Sequence, residues 1–213
     1  MVSFSLSIYW TRLSSTGLNP RLRASQIGLS QNLADWSSRS TCTFSRVSAD
    51  NGEMLTIREA RAADVGSILS LIRALAEYER EPAAVVATEE DLLRDGFGAQ
   101  PRFQCVIAEW SGEPVGFALF FYNYSTWHGR AGIYLEDLFV QPSHRGKGIG
   151  RALLVYLAQR AQAEDLTRVV WHVLGWNTPA IEFYKTLGAE SLSAWEIMRV
   201  TGPALKALAE GGA

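Results

Sequence analysis

Only two of the 213 residues are cysteine, Cys42 and Cys105, so neither a disulfide framework nor a cysteine-ligated zinc site can be assembled. Cys105 sits in an apolar run and reads as a core residue in a reducing compartment. The three histidines, His128, His144 and His172, lack metal-ligand spacing, so no metal is expected. No stretch approaches about eighteen uninterrupted apolar residues, so nothing is expected to span a membrane. Positive charge is not in excess either. With 20 basic and 22 acidic residues the net charge is -2, which leaves no electrostatic case for nucleic acid as the main partner. What remains is 47% hydrophobic and 20% charged residues, the balance of a globular protein, in a length that suits one domain with residues to spare.

The spare residues are at the start. Residues 1–53 hold twelve Ser, five Arg, no Lys and three acids, Asp35, Asp50 and Glu53. No period of 3.6 or 2 is sustained there, and such a composition argues against a packed core. The expectation is a disordered extension over 1–53 and a catalytic domain over 54–213. Two readings of the extension stand, a leader caught by an early start ahead of Met54, or an Arg- and Ser-rich organelle-targeting segment. The first is preferred, with a cytoplasmic location; the second would imply import.

From Met54 onward elements alternate. Leu55–Arg58 reads as a short strand, and Asp64–Tyr78 as a helix with Val65, Ile68, Leu69, Ile72, Leu75 and Ala76 on one face. Thr88-Glu89-Glu90-Asp91 resembles a capping box, and Asp95-Gly96 is expected to close that helix. Phe103–Glu109 and Val115–Tyr124 are β-rich runs joined by the turn Ser111-Gly112-Glu113-Pro114. Ile133–Val140 is a further strand, then comes a loop and a helix over Ile149–Ala163. Arg168–Val173 reads as a strand, Pro179–Thr186 as a helix ended by Gly188, and Trp195–Val200 as a last strand. The order, βααβββαβαβ, predicts an α/β (α+β) fold in which helices flank a mixed sheet.

The chemistry-bearing stretch runs from Leu135 to Gly150, a strand, a turn, a glycine-rich loop and a helix start. Gly146, Gly148 and Gly150 let the backbone approach a ligand closely and aim several N–H groups the same way. The unpaired N–H groups and positive dipole end of the next helix favour phosphate, and Arg145 and Lys147 add charge beside it. A pyrophosphate suits such a site. The P-loop pattern is absent, and Gly-x-Gly-x-Gly lacks the dinucleotide-binding spacing.

The segment Arg145–Gly150 resembles the acetyl-CoA pyrophosphate motif of the GCN5-related N-acetyltransferase (GNAT) superfamily. Tyr134–Val140, Asp91–Gly98, Leu75–Glu79 and Ile181–Lys185 are more specifically similar to its spermidine/spermine N-acetyltransferase family, thialysine-acetylating members included. The resemblance covers almost all of 54–213 and none of 1–53. It implies the GNAT fold, a twisted, mostly antiparallel sheet with splayed central strands, and acetyl-CoA as co-substrate. It implies that the backbone of Phe139 and Val140 binds the pantetheine arm, and that Arg145, Gly146, Lys147, Gly148, Ile149 and Gly150 hold the pyrophosphate. Asn177 matches an asparagine near the cofactor arm, and Tyr184 the acid that protonates the departing thiolate. A phenol with pKa about 10 can serve a thiolate whose acid is about 8.5.

A primary ammonium has pKa near 10.4, and only its neutral form attacks, so the amine side needs a proton acceptor. Glu136 and Asp137 are adjacent and are expected to face opposite sides of their strand. Glu136 matches the family's substrate-side acid and candidate base, directly or through water. Glu79 matches an acceptor-binding glutamate and Trp127 an aromatic near the acceptor. Gly175 stands where the mammalian spermidine enzyme has a glutamate, which keeps diamines, thialysine and lysine-like amines open as acceptors. The expected function is acetylation of a small primary amine, with protein or peptide N-acetylation and a silent acetyl-CoA-binding module as alternatives. The resemblance also implies a homodimer, to which Trp195–Val200 could contribute.

Overall fold

The capping box that opens the second helix shows how local chemistry fixes the elements. Thr88 accepts a hydrogen bond from the Asp91 amide, and the Asp91 carboxylate accepts from the Thr88 amide and hydroxyl. The structure, a computed structural model, describes residues 44–47 and 53–212. Strands are β1 Phe44–Val47, β2 Met54–Glu59, β3 Gln104–Trp110, β4 Glu113–Ser125, β5 Arg130–Val140 and β6 Val169–Trp171. Helices are α1 Val65–Tyr78, α2 Glu89–Phe97, α3 Ile149–Ala163, α4 Thr178–Thr186 and α5 Gly202–Ala209.

Among the described residues the strands form one six-stranded sheet in the order β1-β2-β3-β4-β5-β6. All neighbours are antiparallel except β5 and β6, which are parallel and joined through the crossover helix α3. Each face of the sheet carries its own core. On one, Leu153, Leu154, Tyr156 and Leu157 of α3 cover Val106, Phe120, Ile133 and Leu135. On the other, Val65, Ile68 and Leu69 of α1 and Leu92 of α2 cover Ile107, Phe117 and Phe139. Phe117 and Phe120 are fully buried, and burying a side chain of that size contributes about 1.5–3 kcal/mol.

Several expectations shift. The ladder begins with β1, whose Phe44–Val47 pair with Met54–Ile57, so hydrogen bonding crosses the expected boundary at 53/54. The hairpin turn is only Ser111-Gly112, both at positive φ, while Glu113 and Pro114 already belong to β4. A bulge at Val115, between the pairs Glu109↔Pro114 and Ala108↔Gly116, accommodates a proline that cannot donate to the ladder. Gly96 does not end α2. It lies inside the helix because the Phe103 ring occupies the space of a side chain, its nearest atom 2.6 Å from where a Cβ would stand.

Trp195–Val200 is not a strand. No strand of the described residues pairs with it, and Trp195, Ile197 and Met198 are exposed; β propensity alone cannot hold an extended segment without a ladder. The helix after it, α5, has Pro203 in its first turn and was not expected from the sequence.

Candidate active site

The site forms where the sheet opens. β5 is hydrogen-bonded to β4 along its whole length, as far as Val140↔Gly116, but pairs with β6 only through Ile133↔Val169, Tyr134↔Val170 and Leu135↔Trp171. Beyond Leu135 the two strands part. This is the splay expected of the fold, and it leaves Leu138–Val140 at the end of β5 facing a cleft of about 640 Å³. Leu138, Phe139 and Val140 line one wall, Val173, Leu174 and Asn177 the other, and α1 and α4 contribute Tyr78, Glu79 and Tyr184.

The glycine loop forms one end of the cleft. Gly146 and Gly148 have φ of 78° and 80°, a conformation that costs an L-residue about 1–2 kcal/mol. Gly148 is the N-cap of α3, whose first turn holds Ile149 and Gly150, and all three line the cleft with Gly146. Unpaired N–H groups of a fifteen-residue helix thus open into it, an arrangement suited to an anion. The two basic residues sit differently. Arg145 lines the cleft, yet its Nε donates to the Val140 carbonyl at 3.0 Å. Its guanidinium lies 4.3 Å over the Tyr78 ring and 5.6 Å from that of Phe139. Lys147 is not among the residues lining the cleft; its ammonium sits 4.5 Å over the Trp110 indole. Arg145 thus braces the loop against β5 and α1.

Asn177 is the N-cap of α4. Its Oδ1 accepts from the Ala180 amide at 3.4 Å and from the Tyr78 hydroxyl at 3.1 Å, which ties α1 to α4 across the opening. Tyr184 projects from α4 against Trp171, ring centroids 5.0 Å apart, and burial followed by the neighbouring Tyr78 raises its phenol above the usual tyrosine range. Burial of this kind keeps the phenol protonated near neutrality, the form that a general acid needs.

Glu136 and Asp137 do not face opposite sides, contrary to the alternation argument. Leu119 pairs with Asp137 and Phe120 with Leu135, so Glu136 is the extra residue of a β-bulge. Leu135 belongs to the α3-side core, and so do Leu138 and Val140, whereas Phe139 belongs to the α1-side core. The two residues between Leu135 and Leu138 therefore both turn to the α1 side. There Glu136 is exposed and Asp137 half-buried, its carboxyl pushed up to about 6 by burial and by the charges of Glu136 and Glu79. Glu79, just past α1, is raised by burial as well. Asp137 thus lies within electrostatic reach of Glu136 and Glu79, and of the three it is Glu79 that lines the cleft. The sequence did carry a sign of the bulge, since the apolar positions Leu135 and Leu138 are three apart where alternation requires two. Trp127 is not brought to the cleft. It lies in the β4–β5 turn, 70% exposed, with its ring 6.5 Å from that of Trp195. Sequence reasoning also missed Tyr78, which reads as one more apolar helix position until its hydroxyl is seen on Asn177.

Residues 68–189 match the acetyltransferase (GNAT) family. The chain belongs to that family. It is 43% identical over 164 residues to thialysine N-epsilon-acetyltransferase from Bos taurus, covering 72% of this chain and 96% of that protein. To L-ornithine N5-acetyltransferase NATA1 from Arabidopsis thaliana it is 32% identical over 198 residues, covering 71% and 86%. Among solved structures, an integron cassette protein from the mobile metagenome of V. cholerae superposes with a TM-score of 0.64 at 28% identity, covering 73% of this chain and 98% of that one. The acetyltransferase is therefore an enzyme of N-acetyl transfer, and GNAT enzymes use acetyl-CoA as co-substrate. The residues present fit that molecule, with a backbone anion site at one end of the cleft and a free strand edge along its length. No helix among the described residues is long and apolar enough to cross a membrane.

Proposed function

We propose that this acetyltransferase moves the acetyl group of acetyl-CoA directly to the primary amine of a small polyamine, diamine or thialysine-like substrate. The observation that carries the reading is the grouping of Asp137 and Glu136 with Glu79, of which Glu79 lines the cleft, while the Tyr184 phenol lines it from α4. Grouped carboxylates suit an ammonium, and a protonated phenol suits a thiolate leaving group. The names of the thialysine and ornithine relatives support the same class of acceptor.

In this reading the loop Arg145–Gly150 holds the pyrophosphate through the amides opening α3, with Lys147 contributing only from the outer side. The free edge of Phe139 and Val140 pairs with the pantetheine amides and polarises the thioester carbonyl. Asn177 orients the arm. Glu136 takes the amine proton, directly or through water, and Tyr184 returns one to the departing sulfur, so the proton count balances. Asp137 and Glu79 hold the cationic acceptor. Trp127, remote from the cleft in one chain, bears on the acceptor only at its outer rim. The reading includes a catalytic domain over 54–213, to whose sheet β1 adds a strand, with the rest of 1–53 as an extension, a cytoplasmic location, and a homodimer. The exposed Trp195, Ile197 and Met198 support the dimer, because a second copy would cover them.

The test is thiol release from acetyl-CoA with putrescine, spermidine, thialysine, lysine and a peptide amine, beside a Tyr184→Phe variant. Turnover with a small amine, slowed at least about tenfold by the variant, is the expected result. Cofactor binding without thiol release from any small amine would sink the reading.

A further inference from the structure

Glu79 is a half-buried carboxylate that lines the cleft without a partner of its own. Among the described residues no hydrogen bond or ion pair reaches it, and burial alone acts on its carboxyl. A side chain so placed takes its position from its backbone. The two residues that flank it are both tied across the opening. Tyr78 donates its hydroxyl to Asn177 at 3.1 Å, and the Arg80 guanidinium lies 5.2 Å over the indole of Trp176. The Trp176 ring also meets that of Tyr78, centroids 6.0 Å apart. The end of α1 is thus fastened to two consecutive residues of the β6–α4 connection, with one tie on each side of Glu79.

Arg80 is an unfavourable residue for its own backbone. The Glu81 amide donates to the Ala76 carbonyl at 2.9 Å, and the Arg80 amide to that of Glu77 at 3.1 Å. This pair of bonds ends a helix with one left-handed residue, a place that glycine fills most often. Arg80 stands there at φ 67°. A large side chain kept at a strained position points to what that side chain does. Neighbouring acid and base pair elsewhere in this chain, as Asp95 and Arg94 do, but Glu79 and Arg80 do not. The guanidinium goes instead to the indole, within the roughly 6 Å over which an aromatic face attracts a cation. The carboxylate of Glu79 is left open.

We infer that Arg80 and Trp176 are positioning residues, whose contact fixes the end of α1 so that Glu79 presents its carboxylate to the ammonium of the acceptor. The inference rests on the small-amine reading above, in which Glu79 holds that ammonium. A carboxylate set in place before the substrate arrives loses little freedom on binding. Loosening it weakens the hold on the amine and spares the chemical step. The Tyr78–Asn177 hydrogen bond on the other side of Glu79 does not depend on Arg80, so the cofactor side of the cleft is spared as well.

Arg80→Gly removes the guanidinium and suits the left-handed backbone, so it tests the contact without unsettling the helix end. The assay uses the full chain, acetyl-CoA and the best acceptor among putrescine, spermidine, thialysine and lysine. KM for the amine is expected to rise about fivefold or more, with kcat and KM for acetyl-CoA within about twofold. Tm should be unchanged or higher. Trp176→Leu should raise the same KM, and the double variant should be no worse than either single one. Arg80→Lys keeps a cation for the indole and should lose less than Arg80→Gly. Ser111→Gly relieves a similar backbone, φ 52° in the β3–β4 turn, and should leave every KM unchanged. An unchanged or lower KM for the amine in Arg80→Gly overturns the inference and leaves the small-amine reading intact. So does an equal rise in KM for acetyl-CoA, or a fall in Tm with all constants worsening together, since the contact then supports the cofactor arm or the fold. If the unsubstituted enzyme releases thiol with no small amine, that reading fails and takes the inference with it.

Discussion

Replacing Asp137 by asparagine removes a half-buried charge while keeping the shape of the side chain, and the consequence can be worked out from the site. In the fold its carboxyl is pushed up to about 6, by burial first and then by Glu136 and Glu79, against 3.8 for an unperturbed aspartate. A carboxyl raised in the fold holds its proton more tightly there than in the unfolded chain. Its contribution to stability is therefore intact below about pH 4 and is lost as pH rises through about 6. Above neutrality the ionised form costs roughly 3 kcal/mol, at 1.36 kcal/mol for each decade between the two values. Asparagine mimics the protonated acid. Asp137→Asn should leave stability unchanged at pH 4 and raise it by about 2–3 kcal/mol at pH 8, equivalent to roughly 4–12 °C in Tm. Urea unfolding followed by circular dichroism at both pH values measures this. If the same charge holds the ammonium, as proposed, the variant should also raise KM for the amine. An equal gain at pH 4 and pH 8, or a loss at pH 8, would refute the account of like charges crowded beside the bulge.

Two further outcomes probe the cleft. Gly148→Ala meets no atom within 4 Å, so its cost is backbone strain of about 1–2 kcal/mol at φ 80°, and KM for acetyl-CoA should rise severalfold while KM for the amine holds. Gly129→Ala, equally open at φ 63° but in the β4–β5 turn, should show comparable strain with neither KM changed, which makes it the control for thermal melts and steady-state kinetics. Tyr78→Phe removes the hydroxyl bonded to Asn177 and keeps the ring under Arg145. A stability loss of about 1 kcal/mol and a severalfold rise in KM for acetyl-CoA are expected, and an unchanged KM would show that the tie between α1 and α4 does not position the arm.

The parts of the fold that local chemistry determines were legible. The bounds of α3, the capping box of α2 and the glycine loop follow from periodicity, side-chain caps and the need for positive φ, all contained within a few residues. The parts that were not legible depend on what lies across the sheet or beyond the chain. Glu136 and Asp137 are neighbours in sequence, and their sharing of one face is decided by a register shift against Leu119 and Phe120 on another strand. Arg145 belongs to the loop motif, but the Tyr78 ring over which its guanidinium lies is supplied by α1. Trp195–Val200 has the composition of a strand, yet composition records only that a residue would suit a pleated, half-buried surface, and no strand among the described residues offers one.

The bulge and the splay are better understood as one device than as two. A strand with partners on both sides has no free amides, and one with a single partner exposes a continuous edge that invites unwanted pairing. β5 is paired on both sides from Ile133 to Leu135 and has no β6 partner from Glu136 to Val140. The free edge is thus five residues long, enough for a short extended arm with a few amides and too short to template another strand. The bulge falls at its first residue. It adds a residue to β5 at the point where the partner is lost, and it turns Glu136 and Asp137 together to the face that carries α1 and Glu79. In the proposed reaction the thioester would lie along that edge and the amine against those carboxylates. The same irregularity would then bring the two reactants side by side, and a substitution restoring regular β5 pairing should harm both KM values together.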